Sequence, residues 1–123
     1  MGNLRFLILH LMKSKVIIFS KGIKMEDRIS VIKAEHISKS FSLETGFFAK
    51  KDAQVYAVND VSFEIKRGEI YGLVGESGCG KTTTARLLVR MYGLNSGKII
   101  YTDKDGIEHS VNDFSKKELK FYR

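Results

Sequence analysis

Gly75-Glu76-Ser77-Gly78-Cys79-Gly80-Lys81-Thr82 decides the fold, because it fits G-x-x-x-x-G-K-[ST] at every fixed position. An eight-residue pattern can arise by chance, and a glycine-rich strand–helix turn that binds nothing is the competing reading. The flanks favour the first. Ile70-Tyr71-Gly72-Leu73-Val74 is a short apolar run of the sort that makes a buried strand. Residues 81–92 follow with a helical pattern, in which Ala85, Leu88, Met91 and Tyr92 recur at three- and four-residue spacing and can face one side. Gly93 stands where such a helix stops. A strand, a glycine-rich turn and a helix in that order make a phosphate-binding loop.

Each residue type has a physical reason to be there. Glycines at 75, 78 and 80 permit backbone angles that side chains forbid and let the main chain approach phosphates closely. The resulting ring of N–H groups is an anion-binding nest, and the helix adds the positive end of its dipole. Lys81 supplies a full charge near the β- and γ-phosphates. Thr82 places a hydroxyl where Mg²⁺, which prefers hard oxygen ligands, can be coordinated. Thr83 is expected to offer its backbone N–H to the α-phosphate. The expected ATP phosphate site is therefore Gly75, Glu76, Ser77, Gly78, Cys79, Gly80, Lys81, Thr82 and Thr83, with Thr82 the metal ligand and ATP and Mg²⁺ the cofactors. Cys79 has two readings: a reactive thiol at a helix N-terminus, or a small spacer whose backbone is what matters, and the second is favoured.

Outward from the loop, Val55, Ala57, Val61, Phe63 and Ile65 alternate in part, so residues 55–65 read as a strand with a bulge or turn at Asn59-Asp60. Lys66-Arg67-Gly68-Glu69 is a turn signal between that run and residues 70–74, which predicts an antiparallel hairpin. Residues 29–37, rich in β-branched side chains, read as a first strand, and residues 38–56 as a long connection carrying Phe47-Phe48. Downstream, residues 98–102 form a strand and Asp103-Lys104-Asp105-Gly106 a turn before residues 107–111. Ser115 and Glu118 are spaced as a capping box that opens a last helix. His10, His36 and His109 read as ordinary surface or strand histidines.

The chain has 123 residues, no proline and one cysteine, so an internal disulfide is excluded and a reducing, cytosolic setting is the default. Its net charge of +7 invites a nucleic-acid reading that its distribution removes. Arg5, Lys13, Lys15, Lys21 and Lys24 lie ahead of Met25 with no acid among them, so most of the excess sits there and the remainder is nearly balanced. No nucleic-acid partner is expected. Within residues 1–24, Lys13 and Lys15 split the apolar runs, so neither approaches the roughly 20 residues needed to span a bilayer. A small-residue cleavage site is also lacking. A membrane-surface helix, a real extension, and translated upstream DNA ahead of a start at Met25 all remain open, with the last favoured. The chain thus divides into an extension, 1–24, and a main unit, 25–123.

The decapeptide Gly75-Glu76-Ser77-Gly78-Cys79-Gly80-Lys81-Thr82-Thr83-Thr84 resembles the Walker A segment of ABC transporter ATPases. Val58-Asn59-Asp60-Val61-Ser62-Phe63-Glu64-Ile65 with Lys66-Arg67-Gly68-Glu69 resembles that family's approach to the loop. Arg86-Leu87-Leu88 and Ser96-Gly97-Lys98-Ile99 resemble its exit. Gly46-Phe47-Phe48, Gly-Glu-Ser-Gly-Cys-Gly and Ser115-Lys116-Lys117-Glu118-Leu119 are similar to the oligopeptide and dipeptide importer branch. The resemblance covers residues 30–123. It implies an α/β P-loop NTPase fold of the ABC type, here its N-terminal part, with antiparallel hairpins beside the Walker A strand–loop–helix. It also implies an ATP-hydrolysing subunit that pairs with a second ATP-binding subunit, homo- or heterodimeric, and drives an integral membrane permease. The expected location is cytoplasmic, peripheral on the inner face of the cell membrane through that permease. The family places an aromatic residue early in the chain against adenine; Phe41 stands where it is expected, and Tyr56 competes for the role.

No Q-loop glutamine, LSGGQ-like signature or apolar run ending in Asp-Glu occurs in these 123 residues, and no catalytic residue is assigned. Residues 99–103 lie too soon after the loop for a Walker B strand and lack a following glutamate. Phosphoryl transfer needs a residue to orient the attacking water, so weak ATP·Mg binding and no turnover are expected of this polypeptide alone. Two readings follow: an energising subunit for peptide import, present as its front part truncated before the Q-loop, or a non-catalytic remnant or partner-binding module. A small P-loop kinase would need a lid and substrate-binding arginines after the loop.

Overall fold

The structure is a computed structural model. It describes residues 29–42 and 54–123 in full and, as backbone, the strands Leu4–Leu11 (β1) and Ser14–Lys21 (β2). Five further strands follow: Ser30–Ser42 (β3), Gln54–Lys66 (β4), Ile70–Val74 (β5), Ser96–Thr102 (β6) and Glu108–Ser110 (β7). The helices are Lys81–Leu88 (α1) and Lys116–Tyr122 (α2). One sheet has the order β4-β3-β6-β7 and the other β1-β2-β5, and every pairing is antiparallel. The insertion with Gly46, Phe47 and Phe48 lies outside the described residues.

The long β3–β4 pair is interrupted where the sequence breaks its alternation. Between Ala34↔Phe63 and Ile37↔Val61 β3 carries one extra residue, and between Ile37↔Val61 and Lys39↔Val58 β4 carries one. Each bulge puts a non-glycine residue at positive φ, His36 at 50° and Asp60 at 51°. The N–H groups freed from the ladder are satisfied across it: His36 N donates to Ser62 Oγ at 2.8 Å and Asp60 N to Ser38 Oγ at 2.9 Å. The two side chains close on each other, His36 Nδ1 lying 2.7 Å from Asp60 Oδ1. The result is a corrected phase. Ala34 and Ile37 on β3, and Val58, Val61 and Phe63 on β4, all reach one core with Leu87, Ile99 and Val111. Full burial of the Val, Leu, Ile and Phe side chains among them stabilises by about 1.5–3 kcal/mol each.

Several expectations need correction. The first strand does not end at residue 37. It runs to Ser42, because β4 lies alongside it as far as Gln54 and gives the polar residues Lys39, Ser40 and Ser42 ladder partners, while Ser38 pairs with Ser96 on β6. The turn at residues 66–69 does not close a hairpin. β4 pairs with β3, while β5 takes its backbone partners from β2, so the chain crosses between sheets at Gly68, whose φ is 72°. The two runs meet through their side chains instead, Phe63 stacking on Tyr71 at 5.6 Å and 23°. Nor is β5 buried throughout: Ile70 and Val74 at its ends are exposed, and no parallel neighbour pairs with it among the described residues. The leading segment is not a surface helix but a pair of strands, and β2 occupies an edge of β5.

α1 stops at Leu88, short of Gly93. Arg90, at φ 50°, reverses the chain, and Met91 N bonds back to Arg86 O at 2.8 Å. Three carbonyls at this end are satisfied from the end of α2 and the residue after it: Leu88 O by Tyr122 Oη at 2.6 Å, and Val89 O and Arg90 O by Arg123 at 2.9 and 2.8 Å. The buried stripe is Thr84 and Leu87 with Leu88 beside it, one residue out of phase with the expected face; Ala85 and Met91 point to solvent. The capping box of α2 is present, Ser115 N donating to Glu118 Oε2 at 2.7 Å and Glu118 N to Ser115 Oγ at 3.3 Å. No helix among the described residues is long and apolar enough to cross a membrane.

Glu35 ties the sheet together laterally, 2.6 Å from Lys33 Nζ on its own strand and 2.8 Å from Lys98 Nζ on β6. The hydrogen bonds from Lys33 and then Lys98 hold its carboxyl down to about 2, from an ordinary 4.5. A depressed carboxylate contributes stability above its unfolded pKa and loses it as pH falls through the folded one. The urea midpoint of wild type is therefore expected to fall between pH 4.5 and about 2 more steeply than that of Glu35→Gln. Equal slopes for the two proteins would show that the bridge carries no linkage.

Candidate functional site

β5 delivers the chain into the loop and α1 carries it away, and backbone geometry between them is set by glycine. Gly78 has φ 78° and Gly80, the residue before the helix, φ 88°. At Gly78 no atom would meet an added Cβ within 4 Å, so glycine is required there by dihedral angle, not by crowding. Gly80 O accepts from Thr84 N at 2.8 Å and from Thr84 Oγ1 at 2.9 Å. That hydroxyl is thereby committed to the helix and is buried, whereas Thr82 is exposed.

Ser77, Gly78, Gly80, Lys81, Thr82 and Thr83 line one depression of about 280 Å³, with Ala57 of β4 as its wall. The structure thus brings six of the nine expected phosphate residues to one concavity. Gly75 and Glu76 are not among its lining residues but are tied to Lys81, whose Nζ donates to Gly75 O at 2.7 Å and also to Glu76 O. Cys79 Sγ lies 3.3 Å from the same ammonium. All three N–H donors of Lys81 are used on the loop itself, which curls the loop around a fixed positive charge. Cys79 is buried in the core under the loop. Ala57 was not foreseen. It is the extra residue where Lys39↔Val58 passes to Ser40↔Tyr56, and nothing in the strand's alternation marks it.

This donor set fits a polyphosphate. The first residues of α1, with a lysine ammonium and an exposed threonine hydroxyl, line one depression, and no carboxylate lines it among the described residues. Thr82 would hold Mg²⁺ through its hydroxyl, and the ion would neutralise charge between phosphates. The two aromatic candidates separate by face. Phe41 pairs with Val55, which is two residues from Ala57, so all three share the α1 side of the sheet. Tyr56 lies between Val55 and Ala57 and projects from the opposite side, 47 % exposed. Phe41, 38 % exposed, meets Tyr92 edge to face at 5.4 Å and 78°.

Residues 58–123 match the ABC transporter family model. The chain belongs to the ABC transporter family. Among curated relatives it is 35 % identical over 91 residues to the oligopeptide transport ATP-binding protein AppF of Bacillus subtilis, covering 74 % of this chain and 26 % of the relative. It is 34 % identical over 97 residues to the dipeptide transport ATP-binding protein DppF of Haemophilus influenzae, covering 79 % and 28 %. Over 59 residues it is 49 % identical to a putative oligopeptide transport ATP-binding protein, YkfD, of Bacillus subtilis, covering 48 % and 18 %. The chain spans about a quarter of the length of the first of these ABC proteins. No solved structure matches it.

Proposed function

We propose that this chain forms the nucleotide-binding front of an ABC ATPase subunit that energises import of oligopeptides or dipeptides. The observation that carries the reading is the Lys81-centred loop, whose helix N-terminus, ammonium and threonine hydroxyl fit ATP·Mg²⁺. Phe41, on the same face of the sheet as Ala57, takes the adenine side. A loop of this kind holds the triphosphate in place while other residues orient water. The family's pairing of one subunit's loop with another's signature sequence would supply those residues, and a membrane permease would be the mechanical partner. The peptide branch rests on the relatives, which are oligopeptide and dipeptide transport ATP-binding proteins.

A second reading, a module that binds nucleotide or a partner without turnover, is favoured by one observation. β2 pairs antiparallel with β5 and takes an edge that a neighbouring strand of a catalytic sheet would use. One experiment separates the two. Cells in which the gene is disrupted should lose uptake of a radiolabelled tetrapeptide or dipeptide and regain it with the wild-type gene. Unchanged uptake of both peptides would sink the importer reading and leave the non-catalytic one.

A further inference from the structure

Phe41 stands at the end of β3, one residue before the strand closes, and a ring in that position has to be held if it is to serve as a platform. Its edge-to-face contact is with Tyr92, and the ammonium of Lys39 lies 5.3 Å from its centroid. Tyr92 is half-buried against the core and is itself fastened to α1. Arg86 Nη1 donates to its hydroxyl at 2.8 Å, and the guanidinium lies 5.6 Å from its ring centroid. The backbone joins them again, Tyr92 N reaching Arg86 O at 3.4 Å. Arg86 belongs to the helix whose first turn carries Lys81, Thr82 and Thr83. One short rigid element therefore holds the phosphate cradle at its start and, through Arg86 and Tyr92, an aromatic ring at its end.

We propose that Tyr92 is a positioning residue for nucleotide binding, setting the place and plane of the Phe41 ring relative to the phosphate loop. The inference rests on the reading of Phe41 as the adenine platform. The reason for such a link is covalent. In a nucleoside triphosphate the distance from base to phosphates has a limited range, so a platform pays off only when its own distance from the cradle is held. A ring already packed against Tyr92 loses little freedom when a purine stacks on it, which favours binding by preorganisation. Lys39 adds a cation beside the same ring, so the packed arrangement is fixed from its own strand as well.

The test uses the full-length protein and two probes, ATP and inorganic tripolyphosphate, each with Mg²⁺. The second carries the phosphates without a base. Tyr92→Leu is expected to weaken ATP about five- to tenfold while leaving tripolyphosphate within about twofold. Tyr92→Phe, which keeps the ring, should restore most of the ATP affinity. Arg86→Met, at an exposed position, should give a smaller loss of the same kind and stands in if Tyr92→Leu does not fold. Equal losses for the two probes would mean that Tyr92 only supports α1, and the inference fails. Loss of ATP selectivity in Phe41→Ala but not in Tyr92→Leu would also overturn it while leaving Phe41 as the platform. An unchanged ratio in Phe41→Ala would remove the platform and the inference together.

Discussion

Lys81→Ala in the full-length protein is expected to lower ATP affinity about 100-fold while leaving the unfolding midpoint nearly unchanged. The lysine ammonium is the one full positive charge lining the depression among the described residues, and its present partners are two carbonyls and a thiol of its own loop. A phosphate oxygen offers each donor an ionised acceptor in exchange. Charge-assisted hydrogen bonds contribute about 1.5–3 kcal/mol each. Part of that is offset by the loop bonds given up, so a net loss near 3 kcal/mol, about two decades, is the expected balance. The fold should tolerate the change, because the core beneath the loop is made by Cys79, Leu87 and Val58 and not by the lysine. Isothermal titration with ATP·Mg²⁺ and a urea curve on the same variant make the comparison. A loss below threefold with the fold intact would rule out the loop as the phosphate site.

Gly97→Ala is expected to destabilise by roughly 3–5 kcal/mol, a size that point substitutions reach only through a named steric or packing failure. An added Cβ would stand 2.3 Å from His36 O and 2.5 Å from Glu35 O, at a φ of 86°. Both neighbours are backbone, so neither can swing aside. They are also pinned: the β3 bulge is fixed by His36 N on Ser62 Oγ, and the far side by Asn95 N on Ser38 O and Ser40 N on Asn95 Oδ1, each at 2.9 Å. Relief requires parting β3 from β6, and with them the Glu35–Lys98 bridge. Gly106→Ala is the matched control. Its φ is 82°, yet nothing lies within 4 Å of the added atom, so only the dihedral cost of about 1–2 kcal/mol applies. Urea unfolding of both variants checks the difference, and similar midpoints would overturn the close-approach argument.

The glycine-rich loop was legible because its geometry is local. Gly78, Gly80, Lys81 and Thr82 act within one turn of chain, and their spacing alone brings their groups together. The capping box at Ser115 and Glu118 was legible for the same reason. Family membership followed from the same residues and their flanks, and residues 58–123 carry it. Strand 54–66 was readable even across its bulge, since Asn59-Asp60 breaks the alternation where the extra residue sits.

What escaped the sequence were relations between distant segments. The turn at residues 66–69 resembles a hairpin turn in every local respect, and nothing within it shows that β5 takes its backbone partners from β2 rather than from β4. The helix end was misplaced because Gly93 is a local signal, whereas Tyr122 and Arg123, more than thirty residues on, take the carbonyls at residues 88–90. Phe41 and Tyr56 were indistinguishable by type. Their separation onto opposite faces depends on a register shift that no single strand displays.

The sequence by itself determined where a polyphosphate is proposed to bind, a glycine-rich loop, because backbone freedom and charge are properties of neighbouring residues. The tertiary structure decided which wall and which ring stand beside that loop, and why Gly97 has no substitute. Those follow from close approach between strands, and close approach is settled only when every backbone donor and acceptor has found its partner.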